Sequence, residues 1–154
     1  MKQVTIYTDG ACSGNPGRGG WAAVLIFGTH TKIISGGEPE TTNNRMELMG
    51  AIEGLKALKE KCEVTIYSDS RYVVDGMSGW ILHWMMNDWK KKDGTDPANV
   101  ELWRELQYLR EKHRVTFKWI KGHSRDVNNS IADQNAVAAK ERQTRDERIF
   151  TSSN

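Results

Sequence analysis

Val64-Thr65-Ile66-Tyr67-Ser68-Asp69 repeats, at the same phase, the pattern of Val4-Thr5-Ile6-Tyr7-Thr8-Asp9. Both runs are β-branched and aromatic with period-two alternation, which reads as strand, and both end in aspartate. Between them, Trp21–Phe27 and Thr31–Ser35 read as two further strands joined by a Gly28 turn. Three strands on short loops imply an antiparallel meander, so the third strand runs parallel to the first. Met46, Met49, Ile52, Leu55 and Leu58 then recur every three residues, which predicts an amphipathic helix from Asn43, with Thr41 to Asn44 as cap candidates. A helical crossover from strand three makes strand four parallel to strand one. The two can lie side by side at about 4.8 Å. Asp9 and Asp69 would then share the carboxyl edge of the sheet, where open α/β sheets bind ligands.

The rest of the chain completes this frame. The glycine-rich stretch 10–20 is expected to be a turn or loop. Helical segments are expected over roughly 71–76, 79–88 and 99–112, the last capped by Asn99 after Pro97. Val115–Ile120 is a fifth strand, and an alanine-rich helix runs to about Arg142. The order βββαβααβα predicts a mixed α/β sheet with helices packed on it. Residues 1–142 read as one domain and 143–154 as a polar tail.

The chain has 154 residues, 38% hydrophobic and 27% charged, enough apolar material for a core. It has no apolar run of the roughly 20 residues that cross a membrane. The polar start lacks a signal-peptide core, and two cysteines, Cys12 and Cys62, are too few for a disulfide scaffold, so a reducing cytoplasm is expected. The net charge of +2 divides into −2 over residues 1–89, +5 over 90–125 and −1 over 126–154. A basic segment of this kind is suited to phosphate backbones, although charge alone equally describes a solvated helix face.

Two carboxylates on adjacent strand ends repel unless a cation joins them. Glu47, in the first turn after an Asn43-Asn44 cap, and Asp133, early in the last helix, could complete a cluster suited to Mg²⁺. Taken singly, each acid has a plainer reading as a turn starter or as a favourable charge near a helix N-terminus. Together they match the apparatus for in-line phosphoryl displacement by two divalent ions. His123, just past strand five, could pass a proton to the leaving group, or be an exposed loop histidine.

Asp9-Gly10-Ala11-Cys12-Ser13-Gly14-Asn15-Pro16-Gly17, Thr42-Asn43-Asn44-Arg45-Met46-Glu47-Leu48, Ser68-Asp69-Ser70 and Lys121-Gly122-His123 resemble a type 1 ribonuclease H of the bacterial kind, in that family's order, from residue 2 to about 140. The resemblance implies a ribonuclease H-like five-stranded sheet of order 3-2-1-4-5 with helices on both faces. It also implies an endonuclease that cuts the RNA strand of RNA–DNA hybrids with two Mg²⁺ ions, replaceable by Mn²⁺, leaving 5′-phosphate and 3′-hydroxyl ends. By resemblance Asp9, Glu47, Asp69 and Asp133 bind the metal and His123 is the auxiliary histidine. Cys12, Asn15, Asn43 and Asn44 look like minor-groove contacts to the hybrid, and Thr42 and Asn99 like a phosphate pocket for the DNA strand. Asn99 has the plainer reading of a helix cap. Trp80, Trp84 and Trp89, followed by Lys90-Lys91-Lys92, look like the family's basic protrusion, with one of Trp80 and Trp84 expected in the core.

Four positions depart from the family pattern. Glu40 stands in place of a common arginine, Ala98 in place of a lysine, Arg125 in place of a glycine, and Asn135 in place of a leucine. The protrusion, Trp84-Met85-Met86-Asn87-Asp88-Trp89, is poorer in positive charge than the common pattern and predicts weaker hybrid binding, and Asn135 predicts a shifted or locally loose last helix. A monomer is expected. Two alternatives remain at this stage: a related nuclease or strand-transfer enzyme on the same fold, and a hybrid-binding module that has lost catalysis.

Overall fold

The computed structural model describes residues 1–122 and 125–143. Five strands, β1 (Lys2–Cys12), β2 (Gly17–Phe27), β3 (His30–Thr41), β4 (Cys62–Ser68) and β5 (Arg114–Trp119), form one sheet of order β3-β2-β1-β4-β5. β1 to β3 pair antiparallel, while β4 runs parallel to both β1 and β5. The repeated hexapeptides lie in register, Val4 opposite Val64 through Thr8 opposite Ser68. Tyr7 and Tyr67 stack with ring centroids 4.9 Å apart, so the sequence echo is a cross-strand ladder of like side chains.

The helices are α1 (Asn43–Lys56), α2 (Arg71–Asp75), α3 (Ile81–Met86), α4 (Val100–Glu111) and α5 (Val127–Arg142), with a π-helical turn, Gly76–Trp80, between α2 and α3. α1 and α5 cover opposite faces of the sheet. Gly54 of α1 lies against Ile6 and Ala23, whereas Gly20 of β2 lies against Ala136 and Ala139 of α5. These contacts obey the strand alternation, since positions 20 and 23 of β2 point to opposite faces. The larger core lies on the α1 side, where Ile6, Val64 and Ile66 meet Leu48, Leu55, Trp103 and Leu106.

Three local expectations are corrected. Stretch 10–20 is mostly strand: β1 continues to Cys12 and β2 begins at Gly17, which leaves only residues 13–16 as the turn. The glycines there serve close approach. A Cβ on Gly20 would sit 2.3 Å from the Ala136 carbonyl oxygen, and one on Gly10 would sit 2.6 Å from the Glu47 nitrogen. The segment expected as one helix over 79–88 is divided between the π-helical turn, which ends at Trp80, and α3, Ile81–Met86. Gly76 opens that turn against Trp103, where a Cβ would lie 2.2 Å from the ring. The last helix is neither shifted nor loose. α5 is continuous, and the half-buried Asn135 amide donates to the Ile131 carbonyl at 2.8 Å.

Candidate active site

Asp9 lies within β1, paired opposite Ala22, so it does not start a turn. Asp69 follows the last residue of β4, and the adjacent Ser70 takes the capping role, accepting from the Val73 N–H at 3.2 Å. The turn reading is therefore set aside for Asp9, whereas Asp69 does stand in a bend beside the start of α2. Thr42, not Asn43 or Asn44, caps α1 by accepting from the Arg45 N–H, so Glu47 falls in the second turn. Gly10 lets that turn press against the end of β1, which brings Glu47 over the two aspartates.

One carboxylate oxygen from each of Asp9, Glu47 and Asp69 lies within 4.8 Å of the other two. Asp133 of α5 lines the same cleft, about 270 Å³, with Gly10, Asn43, Asn129 and Ser130. Asp133 stands outside the tight trio but close enough to act on Asp9. Burial first, then the charge of Asp69, then hydrogen bonding and charge from Asp133 push the Asp9 carboxyl up to about 8, against the opposing Gly10 N–H. Burial, followed by the charges of Asp9 and Asp69, holds Glu47 well above the ordinary carboxylate range. Glu47 Oε1 and Asp69 Oδ1 are buried without a hydrogen-bond partner. Crowded acids with orphaned oxygens are the donor set that a hard divalent cation satisfies. The residues fit a metal.

Gly122, at the end of the chain before position 123, comes within 3.0 Å of Asp69 Oδ2 when given a Cβ. His123 itself lies outside the described residues.

The expected substrate contacts fall into separate groups. Asn15 Oδ1 accepts from the Asn43 N–H at 3.2 Å, and the Cys12 thiol donates to the Thr41 carbonyl at 3.4 Å. Cys12, Asn15, Thr42 and Asn43 are thus gathered where the β1–β2 turn meets the start of α1, with Asn44 exposed beside them. Asn99 occupies the cap position of α4 but makes no side-chain cap bond. It is left-handed, φ 59°, and its amide donates to the Tyr72 hydroxyl at 3.2 Å. Trp80 and Trp84 line a hollow of about 660 Å³ with His83, Asn87 and Lys90 to Lys92. Trp84 packs on the core while Trp80 is 40% exposed, so the two indoles divide between core and surface.

Sequence reasoning missed the hub beneath these indoles. Trp103, fully buried, donates through Nε1 to the Tyr72 hydroxyl at 3.2 Å, and its ring meets Tyr72, Trp80 and Trp84. It also missed Asn129, 3% exposed on the cleft wall. The available signal was spacing: Asn129 and Asp133 are four residues apart and share a face of α5.

The ribonuclease H family model matches residues 1–141. The chain belongs to the ribonuclease H family. It is 56% identical over 134 residues to the ribonuclease H of Rhizobium etli, covering 87% of this chain and 89% of that one. It is 55% identical over 141 residues to the ribonuclease HI of Brucella melitensis, covering 92% of each. Among solved structures, LC9-RNase H1, described as a type 1 RNase H with the type 2 active-site motif, superposes with a TM-score of 0.85 at 32% identity, covering 93% of this chain and 74% of that one. LC11-RNase H1, solved in complex with an RNA/DNA hybrid, superposes with a TM-score of 0.68 at 25% identity, covering 90% and 97%. The carboxyl edge described above therefore belongs to a ribonuclease H.

Proposed function

We propose that this ribonuclease H hydrolyses the RNA strand of RNA–DNA hybrids with Asp9, Glu47, Asp69 and Asp133 as ligands to two Mg²⁺ ions, Mn²⁺ being an acceptable substitute. The observation that carries this assignment is the trio of carboxylates within 4.8 Å with two orphaned buried oxygens. Bound divalent ions supply an activated water and charge stabilisation at the leaving oxygen. The chain's own residues hold and orient. Asp9 and Glu47 give up protons that burial favours when their charge is compensated, and Asp69 and Asp133 flank them across the cleft. Water releases a proton to solvent as its oxygen bonds to phosphorus, and the bond from phosphorus to the 3′-oxygen breaks, which leaves a 5′-phosphate and a 3′-hydroxyl. His123 delivers the proton that the departing 3′-oxygen takes up.

Asn43 lines the cleft and is held by Asn15, and together with Cys12 and Asn44 they serve as minor-groove contacts that sense the 2′-hydroxyl. Thr42 and Asn99 hold a phosphate of the DNA strand, and Trp80 and Trp84 offer stacking surface beside three lysines. Residues 1–142 act as one domain, working as a monomer in the cytoplasm. Both cysteines are unpaired, and no helix of the described residues is long and apolar enough to cross a membrane. The test is cleavage of labelled duplexes by purified protein with Mg²⁺, with Asp69→Asn as control. The RNA strand of a hybrid is cut and double-stranded DNA is spared. Equal cutting of both, or no cutting with Mg²⁺ or Mn²⁺, overturns the reading.

A further inference from the structure

Asp69 is the least buried of the three clustered carboxylates, and it lies one residue beyond both ladders that define β4. The last rungs are Thr8 opposite Ser68 on one side and the Ile120 N–H donating to the Ser68 carbonyl, 3.0 Å, on the other. Ser70 is fixed from the far side, since its N–H donates to Ser68 Oγ and its hydroxyl caps α2. Asp69 is left spanning the gap. Its carbonyl accepts from the indole Nε1–H of Trp119 at 3.1 Å. The indole is itself covered by Arg71, whose guanidinium carbon lies 4.0 Å from the ring centroid.

We infer that Trp119, braced by Arg71, is a positioning residue that sets the Asp69 carboxylate for metal binding. The inference rests on the metal reading above. Asp69 Oδ1 has no hydrogen-bond partner and the carboxylate otherwise meets Glu47, itself an acid of the cluster, so its direction leans on its own backbone. The indole N–H restrains that backbone where the sheet no longer does. Arg71 draws on the ring face by cation–π attraction, which restrains the indole where its N–H meets the Asp69 carbonyl. Gly122 completes the arrangement by leaving room beside Asp69 Oδ2. The partly exposed Trp119 ring is thus more than apolar cover at a strand end. Groups that orient metal ligands by hydrogen bonding typically contribute about 10- to 100-fold to the affinity of a site.

The test is calorimetric titration of the full chain with Mn²⁺ in the absence of hybrid, paired with thermal melts. Trp119→Phe keeps a ring for Arg71 but removes the N–H, and it weakens the Mn²⁺ dissociation constant about 10-fold. Arg71→Gln leaves the exposed surface polar and weakens it about 2- to 5-fold. In steady state both variants raise the metal concentration for half-maximal rate while leaving KM for hybrid within twofold. A lowered Tm with Mn²⁺ affinity within twofold of the parent in both variants overturns the inference, because that is the signature of packing alone. If Trp119→Phe does not fold, the Arg71→Gln titration decides by itself. A parent chain that binds no Mn²⁺ overturns the metal reading and this inference with it.

Discussion

Asp9 is held at a cost that depends on pH, and the direction of that cost can be measured. Its carboxyl titrates near 8 in the folded chain against an ordinary value of 3.8, chiefly through burial and then through Asp69. A folded value above the unfolded one means that the native state binds the extra proton. Its stabilising contribution is complete below about pH 4 and is lost as pH rises through about 8. Glu47 shifts in the same direction. The metal-free protein is therefore more stable near pH 5 than near pH 8. Mg²⁺ raises Tm more at pH 8 than at pH 5, which scanning calorimetry at the two values reads directly. Replacing Asp9 by Asn removes one charge from the cluster and raises the metal-free Tm at pH 8 by about 2–4 °C, corresponding to about 1 kcal/mol. The same substitution lowers cleavage at least about 100-fold while hybrid binding, followed by gel shift, is retained. A variant that gains stability as it loses turnover separates a functional acid from a structural one.

At the scale of elements, the sequence was most legible where like strands repeat and least legible where glycine is abundant. Val4–Asp9 and Val64–Asp69 disclosed the β1–β4 ladder because pairing of identical patterns keeps both aspartates in phase. Connection rules made β4 parallel to β1, while the place of β5 in the sheet came only with the family resemblance. Asp9 and Asp69 were legible for the same reason. Glu47 was legible only in outline, since its reach depends on how closely α1 approaches Gly10, a tertiary matter. Glycine in the 10–20 stretch carries two meanings that one sequence cannot separate: a turn, or a place where another backbone comes close. Here the second prevails over most of the stretch, because alanine-rich α5 lies directly on β2. Asn99 was ambiguous between cap and contact, and it occupies the cap position while spending its amide on Tyr72. A sharp consequence concerns the α5–β2 contact. Gly20→Ala inserts a methyl 2.3 Å from the Ala136 carbonyl oxygen, so α5 must withdraw. We expect a loss of about 1–3 kcal/mol by urea unfolding, with weaker metal binding because Asp133 moves with its helix.

For the molecule as a whole, the small net charge is the sum of two opposed fields. One is the acidic cleft at the carboxyl edge of the sheet, and the other is the hollow where Lys90, Lys91 and Lys92 stand beside Trp80 and Trp84. The three lysines are not equivalent. Lys90 is paired with Asp96 at 2.5 Å, whereas Lys91 and Lys92 make no ion pair among the described residues. An already paired ammonium releases less counterion when a phosphate arrives, so the hybrid should draw mainly on Lys91 and Lys92. Lys91→Ala and Lys92→Ala each lower the slope of log K against log salt by about 1, whereas Lys90→Ala lowers it less. Because the hollow is built apart from the carboxylates, kcat at saturating hybrid stays within twofold in all three variants. Binding titrations between about 50 and 200 mM salt resolve the slopes. Equal slope changes at all three positions would show that Asp96 gives up Lys90 on binding, and unchanged slopes would remove the hollow from the path of the nucleic acid. Weak binding at physiological salt, relieved by lowering it, is the behaviour expected of a protrusion that offers, among the described residues, only two unpaired lysines beside its indoles.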